Sequence, residues 1–137
     1  TPSVSSAASD VYKRQPNGVM NGLYCLNGIV FPYYDTASPV EKEWWDSFKN
    51  KFDYEPNTGA AYGYIFADLF IEAIERAGQD LNIDSFVSAM ESIVDYVDPL
   101  ETSTVSFSET SRQGSNVSYF FQVKDERFEV ISGPISY

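Results

Sequence analysis

Apolar and polar positions change their spacing along the chain, and each change marks an element. Gly22 to Tyr34, GLYCLNGIVFPYY, is a continuous run of apolar, β-branched and aromatic residues. It is too short and unbroken for a surface helix, so Ile29-Val30-Phe31 is expected as a buried strand, with Pro32 ending regular pairing. Ser38-Pro39-Val40-Glu41 is a helix start: Ser38 caps, Pro39 fits the first helical position, and Glu41 completes a capping box. Val40, Trp44, Phe48 and Phe52 then recur at steps of four as one apolar stripe, with Glu41, Glu43, Asp46, Lys49 and Lys51 mostly on the other side. Acids precede bases, which suits the helix dipole.

A second helix is expected over Ala60 to Ala77, entered through Glu55 to Gly59 and capped by Gly78. Until Glu72 only Asp68 interrupts its apolar run, so it is expected to be enclosed on nearly every side. A third helix is expected over Ile83 to Tyr96, with Phe86, Met90, Ile93 and Val97 on one face and Pro99 beyond its end. After Leu100 the period becomes two. Thr104 to Phe107 alternates, a polar turn follows over Ser108 to Ser115, and Val117 to Val123 reads as an aromatic-rich strand. Lys124 to Arg127 then turns the chain into Phe128 to Ile131, completing a hairpin. The expected order is one strand, three helices and three strands. A strand buried on both faces and a helix apolar all round both need partners, and so few strands do not supply them.

Residues 1–15, TPSVSSAASDVYKRQ, show no apolar periodicity and lack the apolar core of a signal peptide. Asp10 to Gln15 back-translates to GAT GTG TAT AAG AGA CAG, which resembles the transposon end used to build short-read sequencing libraries. The segment is therefore set aside as an expected translation artefact at the edge of an assembled contig, an ordinary flexible linker being the alternative. The natural protein is then expected to start upstream, so that this chain is a fragment.

Composition narrows the chemistry. The 137 residues include 10 Tyr, 10 Phe and 2 Trp, too much apolar surface for a disordered chain. No run approaches the roughly 20 apolar residues of a membrane span. With no histidine, this stretch holds no Ser-His-Asp triad, Cys-His pair or His-ligated zinc site. Its one cysteine, Cys25, forms no intrachain disulfide and reads as inert core. A net charge of −11 argues against nucleic-acid partners, which need clustered Lys and Arg. Without residues 1–15 the 20 acids become 19 and the 9 bases become 7, a net −12. What remains is carboxylate chemistry, oxygen-ligated metal, or binding without catalysis.

The second helix carries a resemblance. Gly63 to Gly78, GYIFADLFIEAIERAG, is similar to the GYDA…ALEKAG helix of type I periplasmic binding proteins, the substrate-binding components of ABC importers for branched-chain amino acids, amides and related solutes. The surroundings match in the same order. Gly28 to Tyr33 resembles the strand leaving the second lobe, and FKNKFDYEP (Phe48 to Pro56) the segment before the long helix. Phe86 to Ile93 resembles the following helix, Thr104 to Phe107 with Gly114 the pattern G.v.Fd..G, and Tyr119 to Glu129 the closing hairpin. Ile65 stands where the family has an acid, Asp53 where it has a Gly, and Glu126 or Arg127 where it has the hairpin Gly, which marks a divergent member.

The resemblance implies an α/β fold of two Rossmann-like lobes, here incomplete, with helices and a C-terminal β-hairpin. Residues 16–31 would end the second lobe, 32–107 would form the C-terminal part of the first, and 108–137 the return crossing and hairpin of the second. It implies a small polar or zwitterionic solute bound in an inter-lobe cleft and ABC permease subunits as partners. It also implies no enzymatic activity or cofactor, and a periplasmic or extracellular location with a possible lipid anchor at the missing N-terminus. By position, Tyr62 and Tyr64 are candidate ligand-binding residues, with core packing as the competing reading. Phe31, Tyr33 and Tyr34 are candidate hinge residues. No catalytic or metal-ligating residue is assigned.

Other readings stay open. The same fold serves as the ligand-sensing domain of receptors. A small carboxylate-dependent hydrolase would need two acids roughly 5 to 9.5 Å apart at one cleft. Glu41/Glu43/Asp46 and Asp95/Asp98/Glu101 do not match a calcium-binding loop and are expected as solvated acidic faces. Asp68 is expected on a thin solvent-facing stripe.

Overall fold

A computed structural model describes residues 20–136. The order is β1 (Tyr24–Asn27), α1 (Pro39–Phe52), α2 (Thr58–Ala77), α3 (Ile83–Glu91), β2 (Tyr96–Val97), β3 (Thr104–Val105), β4 (Val117–Lys124) and β5 (Arg127–Ser136). The chain divides into two compact units. Of the described residues, one unit holds 20–28 together with 117–136, and the other is Ile29–Asn116.

The first unit is an antiparallel three-stranded sheet in the order β1-β4-β5. Strands β4 and β5 form the expected hairpin, and β5 runs on to Ser136. Asp125 and Glu126 make its two-residue turn with φ of 47° and 65°. Two positive values in succession are what a hairpin turn matched to strand twist requires. This turn is therefore built without the glycine that usually relieves the strain. Phe121 and Val123 on β4 are almost completely buried.

The second unit is helical. Helix α1 starts as expected: Ser38 Oγ accepts from the Glu41 amide at 3.3 Å, and Glu41 Oε2 accepts from the Ser38 amide at 2.6 Å. Asp53, in the left-handed region at φ 58°, closes its C-terminus. Helix α2 starts at Asn57, whose Oδ1 accepts from the Ala60 amide at 3.0 Å, and ends at Gly78 with φ 77°. Ile29, Phe31, Trp44, Trp45, Ala61, Ile65 and Leu100 form one buried core. Helix α3 joins α2 through the Phe70 and Phe86 rings, 5.5 Å apart, and through Arg76, which donates to the Ser92 carbonyl at 3.0 Å. Gly114 lies against Phe107 so closely that a Cβ there would stand 2.7 Å from the tip of the ring, which would have to move to admit it.

Several expectations are corrected. The strand lies at Tyr24–Asn27, not Ile29–Phe31. Ile29 and Phe31 are buried, but by side-chain packing against helices, which an apolar run does not distinguish from sheet pairing. Helix α3 stops at Glu91, and Tyr96–Val97 pairs antiparallel with Thr104–Val105 instead of continuing it. Asp95, at φ 51°, turns the chain between the two, held by Ser106 Oγ, which accepts from its amide at 2.8 Å and donates to its Oδ1 at 3.1 Å. Helix α2 is not enclosed among the described residues. Ala61, Ile65 and Ala73 are buried, while Phe66, Phe70 and Ile71 are more than half exposed, because the unit covers one side of a helix apolar on several.

Candidate functional site

An aromatic cluster forms where the segment entering the second unit meets α1. Trp45 is at its centre. Its ring lies 5.7 Å from that of Phe31 and 6.0 Å from that of Tyr34, and Phe31 in turn meets Tyr33 edge-on at 5.3 Å. The Trp45 indole N–H donates to Glu55 Oε2 at 2.5 Å, and Glu55 also pairs with Lys49. The hydrogen bonds from Lys49 and then from Trp45 hold the Glu55 carboxyl below the usual carboxylate range. The Tyr34 hydroxyl donates to Asp46 Oδ2 at 3.4 Å, and Lys42 Nζ stands 5.9 Å above the Tyr34 ring.

The structure brings Phe31, Tyr33 and Tyr62 to one core, with Tyr33 and Tyr62 partly buried at its margin. Tyr64, two residues on from Tyr62, projects in a different direction along α2. It is 43% exposed and its ring lies 5.9 Å from that of Trp44, whereas Tyr62 stacks toward Phe66 at 5.5 Å. Tyr62 and Tyr64 are therefore not brought together. Tyr34 is also exposed, on the outer side of Trp45. Phe31 and Trp45 are buried, so the part of this cluster open to solvent is Tyr34 with its Asp46 and Lys42 neighbours, a small surface for contact and hydrogen bonding.

Sequence reasoning passed over Trp45 and Glu55. A stripe at steps of four selects Trp44 and puts its neighbour on the outer face, yet both tryptophans are buried. The available signal was the tryptophan pair itself, too large an apolar area to leave half in water.

Two acids also correct their expected settings. Asp98 is 3% exposed, not part of a solvated face. Its Oδ1 accepts from the Leu100 amide at 2.8 Å, and its Oδ2 accepts from Thr102 Oγ1 and Ser103 Oγ, each at 3.0 Å, and from the Ser103 amide. Asp68 is half-buried and accepts from the Tyr96 hydroxyl. Among the described residues no group of three or more His, Cys, Asp or Glu is placed to hold a metal ion, and no helix is long and apolar enough to cross a membrane.

The model of a family described as periplasmic binding protein matches residues 2–127, and the chain belongs to that family. The match begins within the segment set aside above, which lies outside the described residues. No curated protein sequence matches the chain.

Solved structures share the fold. A branched chain amino acid ABC transporter protein from Thermus thermophilus, with bound valine, is 13% identical with a TM-score of 0.70, over 86% of this chain and 34% of its own. A possible leucine/isoleucine/valine-binding protein from Rhodopirellula baltica is 17% identical with a TM-score of 0.70, over 90% and 33%. The leucine-binding protein of Thermotoga maritima is 20% identical with a TM-score of 0.60, over 84% and 31%. The fold is that of type I periplasmic binding proteins, and the chain spans about a third of the length of these relatives.

Proposed function

We propose that the chain is the C-terminal third of the solute-binding component of an ABC importer, working outside the cytoplasmic membrane with permease subunits as partners. The observation that carries this reading is the family match over residues 2–127, joined to the fold shared with binding proteins whose names specify branched-chain amino acids. The solute is a small zwitterion or amide of that kind, bound between two lobes and released without chemical change. Residues 16–31 and 108–137 belong to one lobe and 32–107 to the other. The division into two compact units supports a split of this kind, but its boundaries at Gly28/Ile29 and Asn116/Val117 put residues 29–31 and 108–116 with the helical unit.

In this reading Phe31, Tyr33 and Tyr34 lie on the segment that crosses between lobes. Tyr64, exposed over Trp44, is a better ligand wall than Tyr62, which is engaged with the core. Closing two lobes over a solute is a two-state change driven by the extra contacts of the closed form.

The upstream reading frame of the source DNA tests the proposal. An exported protein with a preceding lobe is expected; a start codon at about residue 16 overturns it. Calorimetric titration of the longer protein with valine, leucine and a short aliphatic amide then reads the solute class. Absence of heat with all three rejects that class.

A further inference from the structure

We propose that Asn27 is a site of spontaneous deamidation, singled out by its geometry from the other Asn-Gly pair among the described residues. Asn21-Gly22 and Asn27-Gly28 share the dipeptide, and both are flanked by apolar residues, Met20 and Leu23 in one and Leu26 and Ile29 in the other. In such a pair the glycine amide nitrogen attacks the asparagine Cγ. A C–N bond forms, the Cγ–Nδ2 bond breaks, ammonia leaves with the proton given up by the amide, and a five-membered imide results. Solvent water then opens either imide carbonyl, giving aspartate or its backbone-lengthened isomer. No electron is gained or lost, and water is the one co-reactant.

The two pairs differ in what the attacking nitrogen is doing. The Gly22 N–H donates to the Val123 carbonyl at 2.8 Å, and the Val123 N–H returns the bond to Leu23 at 2.8 Å. Gly22 is thus tied into the sheet, and its nitrogen reaches Asn21 Cγ only after that pairing opens. The Gly28 N–H instead donates to Asn27 Oδ1 at 3.0 Å. Nucleophile and electrophile are already adjacent there, and the attacking nitrogen is bonded to the side chain it attacks rather than to the carbonyl of a neighbouring strand. Holding reacting atoms together in this way is what raises an intramolecular rate. Exposure would favour the other site, because Asn21 is exposed and Asn27 half-buried. The product places a carboxylate, and in the isomer an extra backbone carbon, beside the Gly28/Ile29 boundary between the units.

Ageing the chain in mildly alkaline buffer and mapping it by chymotryptic digestion separates the two sites, since cleavage after Leu23 or Tyr24 falls between them. In the folded chain Asn27 is expected to convert about fivefold faster than Asn21, with equal rates in concentrated urea. Equal rates in the folded chain, or a faster Asn21, overturn the proposal. Gly28→Ala is expected to slow conversion at Asn27 alone; an unchanged rate there also overturns it. Repeating the digest on the chain joined to its upstream reading frame decides the matter should the shorter chain be unstable. Neither measurement involves a solute, so its outcome is independent of the transport reading.

Discussion

Tyr96 and Asp68 meet hydroxyl to carboxylate, tying the short strand β2 to the middle of α2 across 28 residues of sequence. Burial first, and then the bond to Asp68, pushes the Tyr96 phenol above its ordinary value of 10.0. A raised tyrosine value means that the folded chain keeps a proton that the unfolded chain gives up. This contribution is complete below the unfolded value and is lost as pH rises through the folded one. Tyr96→Phe is expected to lower stability by about 1 kcal/mol at neutral pH. The gap between the urea midpoints of wild type and variant is expected to shrink as pH climbs past 10.0. A constant gap would assign the effect to packing alone.

Glu55 carries the opposite sign. Its carboxyl is held below the usual range, so the bond to Trp45 is present above the unfolded value and is lost as pH falls through the folded one. Tryptophan emission is expected to shift to the red on acidification into the carboxylate range. In Glu55→Ala the emission is expected to start red-shifted and to move less. Trp45→Phe keeps the ring contacts to Phe31 and Tyr34 while removing the indole donor, and is expected to abolish the acid-dependent part of the shift.

Asp98 is a structural acid. Four donors converge on its carboxylate in a loop that delivers Leu100 to the core. Asp98→Ala leaves the Leu100 and Ser103 amides without their acceptor and is expected to cost about 3 kcal/mol in chemical denaturation. Asp98→Asn is expected to fall between the two, since its amide keeps one accepting oxygen and turns a nitrogen toward the donors.

Helix α2 presents Phe66 and Ile71 to solvent at 60% and 54% exposure. Large apolar side chains so placed favour self-association. Phe66→Lys with Ile71→Glu is expected to lower the association of the chain in sedimentation velocity while leaving its far-ultraviolet dichroism unchanged. Equal association in variant and wild type would show that this face drives none of it.

Local signals were legible where they act within a few residues. The capping box at Ser38, the Gly78 end of α2, the start of α3 at Ile83 and the hairpin after Lys124 all sit where local sequence puts them. Aromatic residues at 31, 33, 34, 62 and 64 were legible as candidates, because rings at the entries of elements are either core or contact surface. Which of them share a core was not legible. The steps of four that picked Trp44 say nothing of Trp45, whose burial depends on Phe31, Tyr34 and Glu55 arriving from other segments.

By itself the sequence determined the helix boundaries set by caps, the closing hairpin and, through the order of its motifs, the family, since each rests on short-range chemistry or on order along the chain. Tertiary structure alone decided that Ile29 and Phe31 are core without being strand, that Tyr96 leaves α3 to pair with Val105, and that Asp98 is buried under its own loop. Those outcomes depend on partners far along the chain. Pairing and burial are free energies of contact between segments, and periodicity records only that a residue seeks cover, not what provides it.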